Sequence, residues 1–483
     1  MNLPVIPVVL ATDALVFALV ALTLVLAFWS RRSAPLREPW RRVARSTGGM
    51  VGATLLAFFV VVGLLDSLHY RVNATAPGKA ARGGGEVLSV LDALASDLRS
   101  RTERTFSAPL ATHGHSRETL LLPDGRQVRD YPRLRHGGAH LADPARDHAA
   151  DVARGVARGL AVAALVWSLC CALLTFALAR REGTTVAVVS RAAWRGEHPL
   201  PLRAVLLTLG AVLALLGPML VLAGHYHVLG TDKVGQDVLY LSLKSIRTGL
   251  VIGTATTLVM LPFALALGIM AGYFQGWVDD LVQYLYTTLA SVPGVLLIAA
   301  AVLMLQVAMD TRAGTFDSLA VRADLRLLFL CAILGVTSWT GLCRLLRGET
   351  LKLRELEYVQ AARTLGASPW RIMLRHIVPN VLHLVIITTV LGFSSLVLAE
   401  AVLSYVGVGV DPSMNSFGTM ITAARLEMAR EPVVWWSLAA AFGFMFVLVL
   451  AANLFADAVR DALDPSLREL VVPRRRVRIG GER

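Results

Sequence analysis

The sequence predicts an all-α polytopic membrane protein, and three observations lead to that fold class. The 483 residues are 55% hydrophobic, with a mean hydropathy of +0.60. The apolar residues are collected in runs, several of which reach the roughly 20 residues that a helix needs to cross a bilayer core. Arginines cluster beside these runs, so the net charge of +13 reflects membrane topology rather than nucleic-acid binding. The spans should be helices, because a helix satisfies its own backbone hydrogen bonds in lipid.

Apolar runs of spanning length occur throughout the chain, and we count nine. Their approximate bounds are 7–29, 48–66, 156–179, 203–224, 248–273, 284–308, 326–346, 380–405 and 434–456. The second run is short. The sequence has no Lys or Arg before Arg31, so it lacks the basic start of a secretory signal peptide, and we expect the first run to remain as a span.

Short arginine-rich segments predict the orientation. Residues 31–48 carry six Arg against Glu38, and residues 180–203 carry five Arg against two acids. The insert 348–379 and the tail 469–483 are basic as well. The positive-inside rule places these four segments in the cytoplasm. Nine spans then put the N-terminus outside and the C-terminus inside.

These features divide the chain into five predicted parts. They are two spans with a basic loop (1–66), a small extracytoplasmic domain (67–155), a third span and loop (156–201), a six-span core (202–468) and the basic tail (469–483). The change of composition near residue 201 suggests that the first 201 residues are a separable extension.

The extracytoplasmic stretch has mixed patterns. Residues 87–98 have helical spacing, Thr119 to Leu122 resemble a strand, and Pro123-Asp124-Gly125 a turn. Gly83 to Gly85 would be flexible, and the sequon at Asn73 carries little weight. The five histidines lack metal-ligand spacing, and the four cysteines lie in apolar runs, so we expect no metal site and no disulfide framework; the histidines are His113, His115, His136, His140 and His148.

A polar insert, Glu357 to Asn380, separates two of the apolar runs. It predicts two short amphipathic helices joined at Gly366, a residue that readily ends a helix. The second helix repeats, from Trp370, the apolar spacing of the first. The first helix places four apolar residues on one face: Tyr358, Ala361, Ala362 and Leu365. Ser368 and Pro369 suit the start of the second helix, and Pro379 should stop it. From the spacing alone the insert is either a docking surface or a structural helix–turn–helix.

Asp13 and Asp66 fall at the outer ends of their apolar runs, where water is close, and Glu400 lies one to two turns from the outer end of its own. Glu400 precedes Ser404 by one helical turn. Charges in spans are costly and therefore informative. Glu400 could pair with a neighbouring helix as a structural group, or it could line the translocation path or its gate together with Ser404. Both interpretations stay open at this point.

Nucleotide-binding and hydrolase motifs are absent from the sequence. It contains no Walker A motif, no G-x-G-x-x-G between a strand and a helix, no H-E-x-x-H and no G-x-S-x-G. We therefore expect no catalytic residue and no bound cofactor in this chain. Any ATP that drives its work would be bound by another protein.

Four blocks of the chain, taken together, resemble the permease subunit of ATP-binding-cassette importers, specifically the C-type subunit of the dipeptide, oligopeptide and nickel group. The similarity covers about residues 202–468. The blocks are Gly230-Thr231-Asp232 with Gly235 and Asp237; Gln360-Ala361-Ala362 with Gly366 and Pro379; Glu400-Ala401 with Leu403-Ser404, Gly407 and Gly409; and Asn453-Leu454 with Asp457, Arg460-Asp461 and Asp464-Pro465.

This resemblance implies a multi-pass protein of the bacterial inner membrane that imports a solute, most often a di- or oligopeptide. It implies two ATPase subunits that hold ATP and Mg²⁺, a second homologous permease and an extracytoplasmic solute-binding protein. The loop 357–379 would contact an ATPase through seven residues: Tyr358, Gln360, Ala361, Ala362, Leu365, Gly366 and Trp370. Gln360 replaces the Glu of the family signature, and the resemblance does not extend to residues 1–201.

Other functions remain as alternatives. Import of nickel or another small solute fits the same family. A membrane receptor that uses residues 67–155 is a third possibility, but the segment after Asp464 has only 19 residues, too few for a signalling domain. A membrane-embedded enzyme would need acids or histidines clustered at one depth, and the sequence does not indicate them.

Overall fold

The computed structural model is built almost entirely of helices. It describes residues 5–32, 34–72, 87–121, 127–311 and 319–463. The helices of the first part are α1 (Ala11–Arg32), α2 (Ala34–Arg45), α3 (Thr47–Ser67), α4 (Val90–Leu94), α5 (Ser96–Ser100), α6 (Pro144–Glu182) and α7 (Val186–Arg195). The remaining helices are α8 (Leu202–Ala223), α9 (Val238–Phe274), α10 (Trp277–Ser291), α11 (Gly294–Asp310), α12 (Leu319–Arg354), α13 (Glu357–Thr364), α14 (Pro369–Ile372), α15 (Val378–Tyr405), α16 (Phe417–Glu427) and α17 (Trp436–Leu463).

Among the described residues, seven helices are long and apolar enough to cross a membrane, which confirms the polytopic all-α fold. They lie at 47–67, 144–182, 202–223, 238–274, 320–354, 369–405 and 436–463. An eighth span would be α10 and α11 together, which meet at an angle of 87°. The predicted single span at 284–308 is therefore wrong in shape, since Pro293, which cannot continue a helix, falls at the break. The first predicted run forms α1, whose apolar part is the shorter segment Ala11–Val25.

Five short strands lie at one end of the bundle, which we call the domain end. Strands β1 (Val5–Val8), β2 (His69–Val72) and β3 (Val87–Ser89) form an antiparallel sheet in the order β1-β2-β3. Val5 pairs with Val72 and His69 with Ser89. The sheet thereby joins the start of the chain to the segments that flank α3. The opposite end, which carries α13, we call the insert end.

The predicted helix over residues 87–98 is wrong in its first and middle parts. Residues 87–89 are strand β3, and α4 and α5 follow, with Ala95 at the break. The reason is local, because Ser89 caps α4 in a capping box with Asp92. Strands β4 (Glu118–Leu121) and β5 (Gln127–Asp130) pair as a hairpin, which confirms the predicted strand. The predicted turn at 123–125, the flexible glycines at 83–85 and the sequon at Asn73 lie outside the described residues.

The first part of the chain packs directly on the later helices. Helix α3 lies against α17 at two glycines. A Cβ at Gly49 would lie 2.6 Å from the Cβ of Ala458, and one at Gly52 would lie 2.7 Å from the carbonyl oxygen of Ala451. Small residues let two helices approach closely where apolar burial gives little driving force in lipid. Small residues on α3, before residue 201, and on α17, after it, therefore allow these two helices to pack closely.

Buried ion pairs at the domain end join the same two parts. Lys244 of α9 lies 2.6 Å from Asp66 and 3.0 Å from Asp92. Arg247, one turn further along α9, lies 2.6 Å from Asp13 of α1 and 3.6 Å from Asp324 of α12. The separable extension stays a prediction, and these ion pairs show that carboxylates of residues 1–201 contact both cations of α9.

Candidate functional site

The polar insert folds as predicted at its first helix. Helix α13 covers Glu357–Thr364, and its buried side chain is Val359, which is 2% exposed. Val359 packs in a cluster with Leu346 of α12 and Ala271 of α9, and Ala362 is partly buried against the same cluster. One edge of α13 is thus fixed to the spans. The sequence analysis did not single out Val359, although it lies three residues before Ala362 on a helical face.

Gly366 ends this helix as predicted. Its φ is +79°, and the amide of Ala367 donates to the carbonyl of Ala362 at 3.0 Å. This bond closes the helix in the Schellman pattern, which requires a residue with left-handed backbone after the last helical turn. Apart from its chain neighbours, no atom of the described residues lies within 4 Å of the place where a Cβ would stand. The backbone conformation, and not crowding within the chain, accounts for the glycine.

The prediction that Pro379 stops the second helix is wrong. Helix α14 starts with Pro369 at its first position and continues through a π-helical turn, Met373–Ile377, directly into α15. The amide of Val378 donates to the carbonyl of Met373, five residues back. Pro379 stands at the start of α15, where a proline without an N–H is tolerated because the widened π turn has already interrupted the regular bonding. Helix α14, the π turn and α15 therefore form one continuous helical rod over Pro369–Tyr405.

Side chains of α13 and of the start of this rod divide into a buried and an exposed set. Ile372, Met373 and Ile377 are at most 3% exposed and join the cluster around Val359. The opposite set is apolar yet open: Leu365 is 87% exposed, Leu374 66%, Trp370 59% and Tyr358 43%. We call these four residues, with Ala361 and Gly366, the coupling surface. The predicted site residues Tyr358, Ala361, Leu365, Gly366 and Trp370 all lie on it, whereas Ala362 lies partly beneath it.

A polar hollow of about 440 Å³ lies beside the coupling surface. Gln360 borders it and donates from Nε2 to the carbonyl oxygen and the carboxylate of Glu355, at 3.2 and 3.3 Å. Arg354 donates to the carbonyl of Tyr273 at 3.0 Å. The hollow is lined by Tyr273, Phe274, Arg354, Glu355, Val359, Gln360, Arg363, Thr364 and Pro369. Both signs of charge border it at the insert end of α9.

Glu400 occupies a closed polar site near the domain end of α15. Its side chain is 2% exposed, and one carboxylate oxygen accepts hydrogen bonds from Ser404 at 2.7 Å and Ser416 at 2.8 Å. Ser416 also caps α16 in a capping box with Thr419. Glu400 and Ser404 therefore hold α16 against α15 in this conformation. The gating role of these two residues stays a prediction, to which the geometry adds a structural task.

Residues 230–237, the first block of the resemblance, form a loop that binds the segment 103–107 through hydrogen bonds. Thr231 is fully buried; its hydroxyl donates to the carbonyl of Thr105 at 2.9 Å and accepts from the amide of Ser107 at 2.7 Å. Gly235 has φ +77° and accepts a hydrogen bond from the amide of Glu103 at 2.9 Å. Neither partner could be predicted from the sequence, since each pair is more than a hundred residues apart.

A buried histidine forms the electrostatic centre of this loop. His227 Nδ1 lies 2.8 Å from Asp237, and Nε2 lies 3.6 Å from Glu103. Burial lowers the pKa of His227, but the hydrogen bonds and charges of Asp237 and Glu103 outweigh burial and raise this pKa to about 9. For the carboxyl group of Glu103, burial has the opposite direction and raises the pKa. His227 and two backbone amides outweigh burial and lower this pKa to about 2. The pair is therefore ionised near neutral pH.

The other domain-end histidines make ordinary contacts. His140 lies 2.8 Å from Asp151, His148 lies 2.8 Å from the carbonyl of Leu110, and the ring of His115 meets Trp436 edge to face. Within the described ranges, no three His, Cys, Asp or Glu side chains are grouped so that they could hold a metal ion.

Comparison with known proteins gives a consistent result. Residues 264–469 match the family described as binding-protein-dependent transport system inner membrane component. The oligopeptide transport system permease protein OppC of Mycobacterium tuberculosis is 33% identical over 247 residues, which cover 51% of this chain and 78% of the relative. The glutathione transport system permease protein GsiD of Pectobacterium atrosepticum is 32% identical over 244 residues, covering 50% and 73%. OppC of Bacillus subtilis is 30% identical over 243 residues, covering 50% and 73%.

The family match covers the coupling surface, Glu400 and α17, and it begins inside α9. The continuous rod of α14 and α15, with an open apolar surface at one end and a closed polar site at the other, lies wholly within it. The chain therefore belongs to the family of binding-protein-dependent transport system inner membrane components, the permease subunits of ABC importers.

Proposed function

We propose that this permease carries di- or oligopeptides inward and that its coupling surface receives a separate ATPase chain. The observation that carries the proposal is the exposure of Leu365 and Trp370, at 87% and 59%, on a segment whose other side is fully packed. Exposed large apolar side chains on a rigid support are typical of interface anchors. The peptide substrate is supported by the relatives, which are named as oligopeptide and glutathione permeases.

The coupling surface is mechanically linked to the spans. Val359 fixes α13 to α9 and α12, and Ile377 fixes the π turn to the same cluster. Because α14 continues into α15, a displacement of the insert would tilt or rotate α15 as a rigid body. ATP-driven closure of the ATPases would in this way open and close a path along α15. This chain supplies no catalytic group; ATP and Mg²⁺ would be held by the ATPases.

Five residues of the coupling surface, and Gln360 beside it, have a proposed task. Leu365 and Trp370 would enter apolar pockets of the ATPase, and Tyr358 would extend that contact. Ala361, which has no bulk beyond Cβ, would allow close approach, and Gly366 sets the bend between the two helices. Gln360 would stand at the edge of the contact, engaged with Glu355.

The assembly follows from the family. A second homologous permease chain would complete the path, two ATPases would bind at the insert end, and a solute-binding protein would deliver the peptide at the domain end. We accordingly place the insert end in the cytoplasm, with the N-terminus outside and the C-terminus inside. The basic segments at 31–48 and 180–203 would then face the anionic inner leaflet.

The proposal is tested by Leu365→Glu in the complete transporter. Its side chain is exposed, so folding and membrane insertion should be unchanged, whereas a charge in an apolar contact should weaken ATPase binding by about 2 kcal/mol or more, roughly 30-fold. Copurification of the ATPases and peptide-dependent ATP hydrolysis in proteoliposomes measure the effect. Leu94→Glu is the matched control, because Leu94 is 70% exposed at the domain end. Normal ATPase capture by the Leu365 variant would refute the docking assignment.

A further inference from the structure

One face of α15 is left open by the rest of the described chain. Ser395, Leu398, Val402 and Tyr405 are all exposed, and their spacing of three, four and three residues follows a single helical stripe. Glu400 and Ser404 lie on the opposite, buried side. The open stripe therefore runs along the rod that begins at the coupling surface and ends at the domain end.

A guanidinium group stands at the domain end of this stripe. Arg425 of α16 lies over the ring of Tyr405, 4.5 Å from its centroid. The Arg425 side chain is exposed, and within the described ranges no carboxylate lies at ion-pair distance from it. The acid nearest in sequence, Glu427, pairs with Arg430 at 3.1 Å. The N–H groups of the Arg425 guanidinium are therefore open to a ligand beside the exposed apolar stripe of α15.

Helix α16 holds this arginine in a fixed position. Ser416 caps the helix and is bonded to Glu400, and the hydroxyl of Thr422 donates to the carbonyl of Ser404 at 3.0 Å. Phe417 and Ala424 are buried beneath the helix. The closed polar site around Glu400 is therefore the support that aims Arg425 at the open stripe. A stacked guanidinium keeps its planar fork of donors available for a carboxylate.

We infer that Arg425, stacked on Tyr405, is the permease's binding site for the terminal carboxylate of the transported peptide at the entrance of the path. This inference rests on the proposed function, because it names the group of the peptide that the path recognises. Bidentate pairing with guanidinium is the strongest recognition that a carboxylate finds among side chains. The apolar stripe of Leu398 and Val402 would then contact the peptide's side chains beyond its carboxyl end.

The test compares a tripeptide with its C-terminal amide, each loaded on the binding protein at saturation, in proteoliposomes that contain the complete transporter. Wild type should transport the free acid faster than the amide. Arg425→Ala should slow the free acid about tenfold or more and leave the amide unchanged. Arg425→Lys should fall between, since it keeps the charge and loses the fork. Tyr405→Phe should retain the preference, because the ring face remains.

Arg430→Ala is the control, because Arg430 is an exposed arginine on the loop that follows α16, and it should leave the acid-to-amide ratio at the wild-type value. An equal loss for both peptides in Arg425→Ala would show a structural or subunit contact and would overturn the inference while leaving peptide transport intact. A wild type that transports both forms equally would also overturn it. If wild type transports neither peptide but moves another solute, the proposed substrate fails, and the inference fails with it.

Discussion

The two ends of this permease differ in how their charged and apolar side chains are partnered. At the domain end, charged groups are buried and each has partners within the chain: Lys244 with Asp66 and Asp92, His227 with Asp237 and Glu103. At the insert end, large apolar side chains are exposed, although some also touch the chain itself, as the ring of Trp370 does that of Phe274. The charged groups named at the first end are paired within the chain, whereas the second end presents an apolar surface of the kind that a partner covers.

This difference suggests where motion enters the molecule. A contact completed within the chain keeps its elements together through a transport cycle, so α3, α4 and α9 should move as one body at the domain end. A surface completed by a partner can instead transmit the partner's displacement. On this view residues 1–201, which the family resemblance does not cover, would stiffen the domain end of the permease.

Removal of one partly buried cation that pairs with two buried carboxylates should produce the largest effect. Lys244→Met leaves Asp66 and Asp92 uncompensated in a site where the lysine is 16% exposed. Breaking a buried pair by removing one partner costs about 3–5 kcal/mol, so the thermal unfolding temperature of the purified protein should fall sharply. Lys233→Met is the matched control, because Lys233 is exposed on the loop before α9 and should change stability by less than about 0.5 kcal/mol.

A triple variant sharpens this result. Asp66→Asn and Asp92→Asn added to Lys244→Met remove the unpaired charges, and much of the lost stability should return. If Lys244→Met alone proves as stable as wild type, residues 1–201 are not anchored to α9 by charge, and the contrast between the two ends weakens.

The histidine of the domain end gives a pH dependence of intermediate size. Its pKa of about 9 lies above the ordinary value near 6.5, so the folded state holds the proton more tightly than the unfolded chain. The stabilisation is complete below about pH 6.5 and is lost between about pH 6.5 and 9, by on the order of 3 kcal/mol at most. Glu103, with its pKa lowered to about 2, has the opposite sign, and its contribution disappears as pH falls below about 4.5.

Unfolding temperatures measured from pH 6 to pH 9.5 check this expectation. Wild type should lose stability across the window, whereas His227→Gln should begin lower and change little. His113→Gln is the control, because His113 is exposed at the same end of the molecule. Parallel curves for wild type and His227→Gln would mean that the loop at residues 224–237 does not depend on the charge of this histidine.

Sequence patterns predicted the insert end better than the domain end, and the reason is the range of the interactions. Gly366 and the amphipathic face of α13 depend on residues within one or two helical turns, so periodicity and capping rules reach them. The bond between Lys244 and Asp66 joins positions 178 residues apart, and no local rule selects that partner. Glu400 shows both cases, since its place in a span was predicted and its contact with Ser416 was not.

The prediction that Pro379 ends a helix was wrong for a different reason. The rule that proline stops a helix assumes regular bonding before it, and the π turn at Met373–Ile377 changes that condition. A five-residue π turn leaves no periodicity that distinguishes it from an ordinary helix. The continuous rod, which is the mechanical link in the proposed function, therefore became visible only in the structure.

The smallest expected effect is at Gln360, where this chain departs from the family signature. Gln360→Glu replaces the donor of the 3.3 Å bond to the carboxylate of Glu355 with a second negative charge. On an exposed surface this repulsion should cost less than about 1 kcal/mol, visible as a reduced unfolding temperature at low salt that recovers in high salt. Combining it with Glu355→Gln should restore stability, because donor and acceptor are then exchanged between the two positions. If the single variant is as stable as wild type at low salt, Gln360 does not pair with Glu355, and its side chain is free to meet the ATPase directly.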